Sequence, residues 1–443
     1  MELNVMKIIS ILILVLPLLG VAQNQRSLSI EKSIQLALER NPNIKIAQEK
    51  VNDARQSLYQ AFGSALPTAS LQGTRIMDEK VQVIENPFAP GGPPLKLDFT
   101  MDYQYDLRVT QPLFTGGKIA LGTLMAQKGL GLIQSQEEQE KNNLSFNVIQ
   151  AYLGMLVTRE FAAVAAEGYS TAQEFYTISQ LLYGQGMISK LDLLQAEVQA
   201  ANLLPQKTQA ENGVIMAAAG LKMLLGIDSN TEITLTDVMS YNPGEYNLDQ
   251  LKAQAFKNRA ELQQMNLSKS LSSLNVNMAR SNFLPMVALS YSYSKSGNDL
   301  DIYSDWNDSY MVAVGMSYEL FAGGTRYSKI QQAKIAQRQV NYGYDALKDG
   351  ILLEVEQVYL RLMEAEKNIL SQEKTVGQAE EAARLAKIQY REGTITNLQA
   401  NQVQINLTVA KANYLQALFN YTLAEASIKK VVGEPLHKQG AHN

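Results

Sequence analysis

Two stretches of this chain have the serine–lysine spacing used by some acyl-transfer enzymes, Ser29-Ile-Glu-Lys32 and Ser292-Tyr-Ser-Lys295. In that chemistry the lysine helps to activate the serine hydroxyl, but the companion motifs of the enzyme class are missing. Asp299, Asp301, Asp305 and Asp308 cluster closely enough to suggest a divalent-ion or lipopolysaccharide contact, although charge of this kind in a loop is ordinarily solvated. There is no cysteine, and both histidines, His437 and His442, stand close to the C-terminal end. Thiol catalysis, disulfides and a histidine-based zinc site are therefore excluded, and neither a cofactor nor an enzyme is expected. A net charge of −4 gives no basic footprint for nucleic acid.

With chemistry set aside, the elements come forward, and they occur twice. An offset of 218 residues sets Leu66-Pro67 on Leu284-Pro285, Ile30 on Leu248, Leu38 on Phe256 and Ile44 on Leu262. Downstream an offset of 207 sets Phe114-Thr-Gly116-Gly117 on Phe321-Ala-Gly323-Gly324, Tyr183 and Gly186 on Tyr390 and Gly393, and Leu225-Gly226 on Val432-Gly433. Solenoid units run to about 50 residues at most, so each half is a complete module.

Each half switches from helical to strand periodicity and back. Tyr310, Val312, Val314, Met316, Tyr318 and Leu320 alternate with small or polar residues, as do Val287, Leu289, Tyr291 and Tyr293. Phe99, Met101, Tyr103, Tyr105, Leu107 and Val109 do the same in the first half, while their partner, from Thr68 to about Ile84, alternates less cleanly. Four strands in two hairpins result. Their length and terminal tyrosines fit the apolar band and aromatic girdles of a membrane barrel, with Tyr103, Tyr105, Leu107, Val109, Val312, Val314 and Met316 toward lipid. About eight strands are the minimum for closure, so the chain must oligomerise to complete a barrel.

After each second strand comes a proline-free helical stretch, Lys118 to Tyr183 and Arg326 to Tyr390. Ile351, Val355, Val358, Leu362, Ala365 and Ile369 step by four and three, and Val403, Leu407, Ala410, Tyr414, Ala417 and Tyr421 repeat the spacing on a returning helix. These are coiled-coil seams. At about 1.5 Å per residue each long helix reaches roughly 100 Å. The return helices (Ser189 to Leu225, Thr396 to Val432) stacked on the entry helices (Ile44 to Ala65, Leu262 to Phe283) nearly match that length. Each half thus supplies one continuous and one composite rod. Pro205 should kink the first return helix locally.

The boundaries read as a signal peptide at 1–22, a first repeat at 23–227 with its β-hairpin at 68–114 and helical hairpin at 117–225, and a waist linker at 228–247. A second repeat follows at 248–434, with hairpins at 286–321 and 324–432, then a tail at 435–443. Lys7, the apolar run from Ile8 to Leu19 and Gly20-Val21-Ala22 carry the signal expectation.

Taken together, the repeat, the Leu-Pro strand entries, the Phe-x-Gly-Gly turns and the tips Tyr183-Gly-Gln-Gly-Met-Ile-Ser and Tyr390-Arg-Glu-Gly-Thr-Ile-Thr resemble the TolC family of outer-membrane efflux proteins over essentially the whole mature chain. The resemblance implies a membrane β-barrel plus an all-α coiled-coil tunnel, a homotrimer completing twelve strands and twelve helices. It places the protein in the bacterial outer membrane with a long periplasmic extension, as the exit duct of a tripartite efflux or type I secretion system. Its partners would be outer-membrane lipid, a periplasmic adaptor and an inner-membrane RND or ABC pump. The adaptor would dock on Gly186, Met187, Ile188, Gly393, Thr394 and Ile395. Asp192 and Tyr390 match positions that help to hold the family's tunnel closed. Gln399 and Gln402 stand where acidic rings are expected, so a weakly cation-selective pore follows, and Ile395 stands where an arginine is expected, so gating would rest on different contacts. The alternative is a periplasmic coiled-coil spacer whose hairpins form ordinary sheet, without a channel.

Overall fold

The computed structural model describes residues 26–77, 82–84, 91–92, 95–97, 103–297 and 306–437. The signal segment, Phe99 and Met101, most of the proline-rich loop, Asp299, Asp301, Asp305 and His442 lie outside them. The first half comprises β1 (Arg26–Leu28), α1 (Ile30–Arg40), α2 (Pro42–Gly63), β2 (Thr68–Arg75), β3 (Gln82–Ile84), β4 (Leu95–Leu97), β5 (Tyr103–Phe114), α3 (Lys118–Gly184) and α4 (Lys190–Leu225). After β6 (Ile233–Leu235), the second half runs through α5 (Leu248–Asn258), α6 (Ala260–Ser281), β7 (Met286–Gly297), β8 (Asn307–Ser317), α7 (Thr325–Arg391) and α8 (Asn397–Val431).

The main sheet is antiparallel, in the order β2-β5-β7-β8. Its register places Leu71, Leu107, Tyr293 and Tyr310 on one face in adjacent strands, with Tyr105, Val109, Tyr291, Val312, Val314 and Met316 on the same side. The other face carries Gln72, Thr74, Asp106, Arg108, Ser292, Ser294, Ser309 and Gly315. The period-two pattern thus becomes one apolar and one polar surface. The strand expected from Thr68 to about Ile84 is in fact two pieces, since β2 ends at Arg75 and Gln82–Ile84 pairs with β4 in a separate ribbon. Asp78-Glu79-Lys80 breaks the apolar alternation between them. Asp308, expected in a loop, belongs to β8 opposite Lys295.

Both long helices have 67 residues. The seam residues Ile351, Val355, Leu362, Ala365 and Ile369 are buried, as are Leu407, Ala410, Ala417, Tyr421, Ile428 and Val431 on α8. α4 continues as helix through Pro205. Around the wall, α2 and α4 flank α3, followed by α6 and α8, and then α7. Near the sheet α6 meets α3, with Ser135 Oγ donating to Ala260 O and Gln264 Nε2 to Gln139 Oε1. Further along α3, α8 takes over, with Lys411 on Glu167 at 2.8 Å.

Two cores sit at the waist on positions related by the repeat. Ala37, Ile44, Leu144, Val148, Leu221 and Leu225 fill one; Ala255, Leu262, Ile351, Val355, Ile428 and Val432 fill the other. The linker is tied to both. β1 pairs in parallel with β6, Tyr152 donates to Leu28 O at 2.7 Å, and Tyr421 donates to Asn242 O at 2.8 Å. Burial pushes the Tyr152 hydroxyl up to about 12, so it stays a neutral donor.

The return helices meet the entry helices at a glycine. Gly226 (φ 63°) lies against Arg40, and its counterpart Gly433 (φ 75°) lies against the Asn258–Arg259 peptide, where a Cβ would come within 2.8 Å of backbone. A side chain there meets both left-handed strain and a backbone that cannot retreat. Gly433→Ala should therefore destabilise the fold by about 1 kcal/mol or more, while Gly377→Ala, in open space on α7, should stabilise it by roughly 0.5–1 kcal/mol. Denaturant unfolding of the two variants checks the contrast.

Candidate functional site at the hairpin tips

The two helical hairpins turn by the same local rules. At the first tip Met187 N donates to Leu182 O and Gly186 N to Tyr183 O, the bonds of a helix C-terminus closed by a left-handed glycine (φ 74°). At the second, Thr394 N donates to Gln389 O and Gly393 N to Tyr390 O, with Gly393 at φ 71°. The returning helices then start with reciprocal caps. Asp192 N bonds Ser189 Oγ while the Asp192 carboxylate accepts from Ser189 N; Gln399 and Thr396 do the same.

These caps decide where several expected site residues point. The Asp192 carboxylate is held by Ser189 and the Gln399 carbonyl by Thr396, while Gln402 donates to Asn406 at 3.1 Å. Tyr390 is not joined to Asp192. It is 2% exposed, packed edge-to-face on Phe175 of α3 with ring centroids 5.2 Å apart. Ile395 and Ala400 complete that small core, so Ile395 faces inward where an arginine had been expected. Gly186, Met187, Gly393 and Thr394 are exposed and Ile188 is half-buried. Met187 reaches across to the second tip, its Cε 3.7 Å from where a Cβ on Gly393 would stand.

The Tyr390 hydroxyl belongs to a buried polar chain that the sequence reading missed. Asn401 Nδ2 donates to Asn397 Oδ1 (2.5 Å), Asn397 Nδ2 reaches the Tyr390 hydroxyl (3.1 Å), and Tyr390 lies 2.5 Å from Ser179 Oγ. Ser179 spends its one proton on Phe175 O at 2.8 Å. Donor counting then fixes the direction, because Tyr390 must donate to Ser179 and accept from Asn397. The phenol has no second proton for a carboxylate elsewhere. Ser179, Asn397 and Asn401 are all buried, and among the described residues no buried side-chain nitrogen or oxygen lacks a partner. The available signal was Asn397 and Asn401, four apart where the apolar seam of α8 begins.

Charges reinforce the same three helices from outside. Glu174 on α3 meets Lys387 of α7 at 2.7 Å and also Arg391, while Lys411 of α8 lies 3.7 Å from Glu380 of α7. Burial alone would raise the Glu174 carboxyl, but Lys387 and Arg391 hold it below its ordinary value. No such ties reach from α4 to α8 among the described residues. Between them lies a groove of about 420 Å³, with Leu191, Leu194 and Val198 facing Leu398, Asn401 and Ile405.

Comparison with characterised proteins gives these features a family. The alkaline protease secretion protein AprF of Pseudomonas aeruginosa is 22% identical over 435 residues, covering 94% of this chain and 86% of its own length. The outer membrane protein TolC of Escherichia coli is 22% identical over 344 residues, covering 74% of this chain and 68% of its length. The outer-membrane channel OprN superposes with a TM-score of 0.76 at 16% identity, over 92% of this chain and 90% of that one, and shares the helical tunnel and barrel fold. The model of the outer membrane efflux protein family matches residues 33–227 and 251–434, one segment in each half, and the chain belongs to that family.

Proposed function

We propose that three copies of this chain form the exit duct of a tripartite efflux or type I secretion machine, a passive conduit across the periplasm and outer membrane. The observation that carries the reading is a four-stranded sheet with one apolar face and two open edges, joined to helices long enough to span a periplasm. A water-soluble spacer has no use for an exposed face of Leu71, Tyr310, Val312, Val314 and Met316. In lipid the same face is at home, bounded at one end by Trp306 stacked on Tyr105 and at the other by exposed Tyr318, Leu320 and Phe321. Unpaired backbone on β2 and β8 is not tolerated in hydrocarbon, so further copies must close the ring. The helical wall ends as openly, on α7 with Tyr327, Tyr342, Leu353 and Leu360, and on α2 with Ile46, Tyr59 and Phe62.

The tips face the inner-membrane machinery in this reading. Gly186, Met187, Ile188, Gly393 and Thr394 form the docking surface for a periplasmic adaptor, with Ile395 supporting it from below. The adaptor in turn engages an RND or ABC pump. Tyr390 acts in closure through its own protomer, fixing α7 and α8 on α3, and Asp192 acts by capping α4. With Gln399 and Gln402 in place of acids, the opened pore is weakly cation-selective.

Two experiments test this. Val314→Arg should lower the stability of the membrane-embedded assembly by about 2–4 kcal/mol if near the midplane, whereas Gly315→Arg, on the polar face, should leave assembly intact and reduce conductance. Equal indifference of assembly and conductance to both would refute the barrel. At the tip, Tyr390→Phe strands the Asn397 amide and the Ser179 oxygen, at about 1–3 kcal/mol per buried group, and should raise single-channel conductance in planar bilayers. Asp192→Ala should cost a cap worth about 1 kcal/mol and leave conductance unchanged. Opening by Asp192→Ala but not by Tyr390→Phe would remove the buried chain from gating.

A further inference from the structure

Charge is sorted along the length of the helical wall. α3, α6 and α7 each have one end at the sheet, and over the segments nearest to it, residues 118–136, 262–281 and 325–344, they carry eight lysines and arginines and no acid. α3 contributes Lys118 and Lys128, α6 contributes Lys269 and Arg280, and α7 contributes four cations from Arg326 to Arg338. α2, the other helix that reaches the sheet, adds Arg55 and has no acid after Asp53. At about 1.5 Å per residue the acid-free zone is roughly 30 Å deep. Away from the sheet the balance reverses: beyond residue 136 α3 carries six acids against two bases, and beyond residue 344 α7 carries nine against seven.

The cations of this zone also lack the partners that their counterparts have further down. Lys387 and Arg391 share Glu174, Lys411 sits on Glu167 and Arg384 on Glu381. Near the sheet, Arg326 meets Glu319 at 2.8 Å, and among the described residues the other seven form no ion pair within the chain. Lys128 and Lys269 flank one groove of about 460 Å³ beside Ser273, and the Lys269 ammonium lies 4.3 Å over the Tyr344 ring. Like charges gathered without counter-charge repel one another, so the zone is stabilised by an anion from outside the chain.

The position of the zone selects that anion. It begins where the apolar face of the sheet ends, at exposed Phe62, Tyr318 and Phe321, with exposed Tyr327 following on α7. The Arg326 guanidinium stands over the rings of both Phe283 and Tyr318. Aromatic side chains bordered by lysine and arginine mark the level of lipid headgroups. We propose that this collar binds anionic phospholipid headgroups of the periplasmic leaflet and so sets the depth of the sheet in the membrane. Lys118, Arg280 and Lys329 stand in the helical turns next to the sheet and meet the phosphates. Lys128 and Lys269, about three turns deeper, act through the field over a screening length of about 8 Å. The chain as a whole carries a net charge of −4, so a preference for anionic lipid has its source in this local sorting. The proposal rests on the barrel reading above and adds the class of lipid that the helix ends select.

Electron spin resonance of spin-labelled lipids, with the full chain reconstituted in phosphatidylcholine vesicles, measures the preference. Labelled phosphatidylglycerol should be held at the protein surface roughly threefold or more over labelled phosphatidylcholine in 0.1 M salt. The ratio should fall toward one in 1 M salt, where the screening length shrinks to about 3 Å. Lys118→Gln, Arg280→Gln and Lys329→Gln combined should remove most of the preference, while Lys118→Arg, Arg280→Lys and Lys329→Arg combined should keep it. Arg361→Gln, Lys367→Gln and Lys374→Gln combined, the same charge lost midway along α7, should leave it unchanged. An equal loss in that last variant would trace the preference to net charge and overturn the collar. Equal association of both lipids with the inserted protein would overturn the collar and leave the barrel standing, whereas no immobilised lipid of either kind would overturn both. Weaker binding of soluble polyphosphate by the glutamine collar variant, beside no lipid preference in the parent, would assign the cations to a soluble anion and overturn the lipid proposal.

Discussion

Backbone amides and carbonyls left unpaired in hydrocarbon cost several kcal/mol each, and the rest of this structure follows from meeting that constraint. Each half brings only two long strands, and the two halves together bring four, with β2 and β8 left open. A soluble protein blunts such edges with charge, proline or a covering loop. Here β8 carries the same alternation of apolar and polar faces as the interior strands and β2 carries it less cleanly, so in the proposed ring each edge is continued by another copy.

The helices inherit this geometry. A wall of rods closes only if its spacing is even, and the seams supply it with alanine at Ala365, Ala383, Ala386, Ala400, Ala410 and Ala417. Neither composite rod is a single helix. α2 and α4 are separate elements beside one continuous α3, and α6 and α8 do the same between α3 and α7. The joints fall at the waist, where Gly226 and Gly433 let the return helices end against the entry helices and where the linker is stapled by Tyr152 and Tyr421. Stability is thus concentrated midway along the rods. At the far end the apolar core shrinks to Phe175, Tyr390 and Ala400 with Ile178 and Ile395, and polar groups take over the task of fixing position. A satisfied buried chain specifies one arrangement of three helices more sharply than alanine contacts can.

Much of this was legible in the residues. The α7 seam from Ile351 to Ile369 and the strand alternation from Tyr310 to Met316 are long, regular signals whose period survives folding. The end of β2 was not legible, because from Arg75 onward charge replaces alternation and nothing local distinguishes one long strand from two short ones. The caps were readable in principle: Ser189-Lys-Leu-Asp192 and Thr396-Asn-Leu-Gln399 obey the same rule, and Gln399 does for its helix what Asp192 does for the other. The partners of Tyr390 were hidden for a different reason. Ser179, Asn397 and Tyr390 come from three helices, and only their packing brings the three polar atoms into one line. Within one copy Tyr390 bonds Ser179 and Asn397, while Asp192 caps its own helix.

In the proposed ring β2 and β8 become interior strands. Amide hydrogen exchange on the protein in lipid bilayers tests it most directly, comparing residues 68–75 and 307–317 with residues 103–114 and 286–297. All four strands should be protected to a similar degree. Amides of β2 and β8 exchanging orders of magnitude faster than those of β5 and β7 would contradict it.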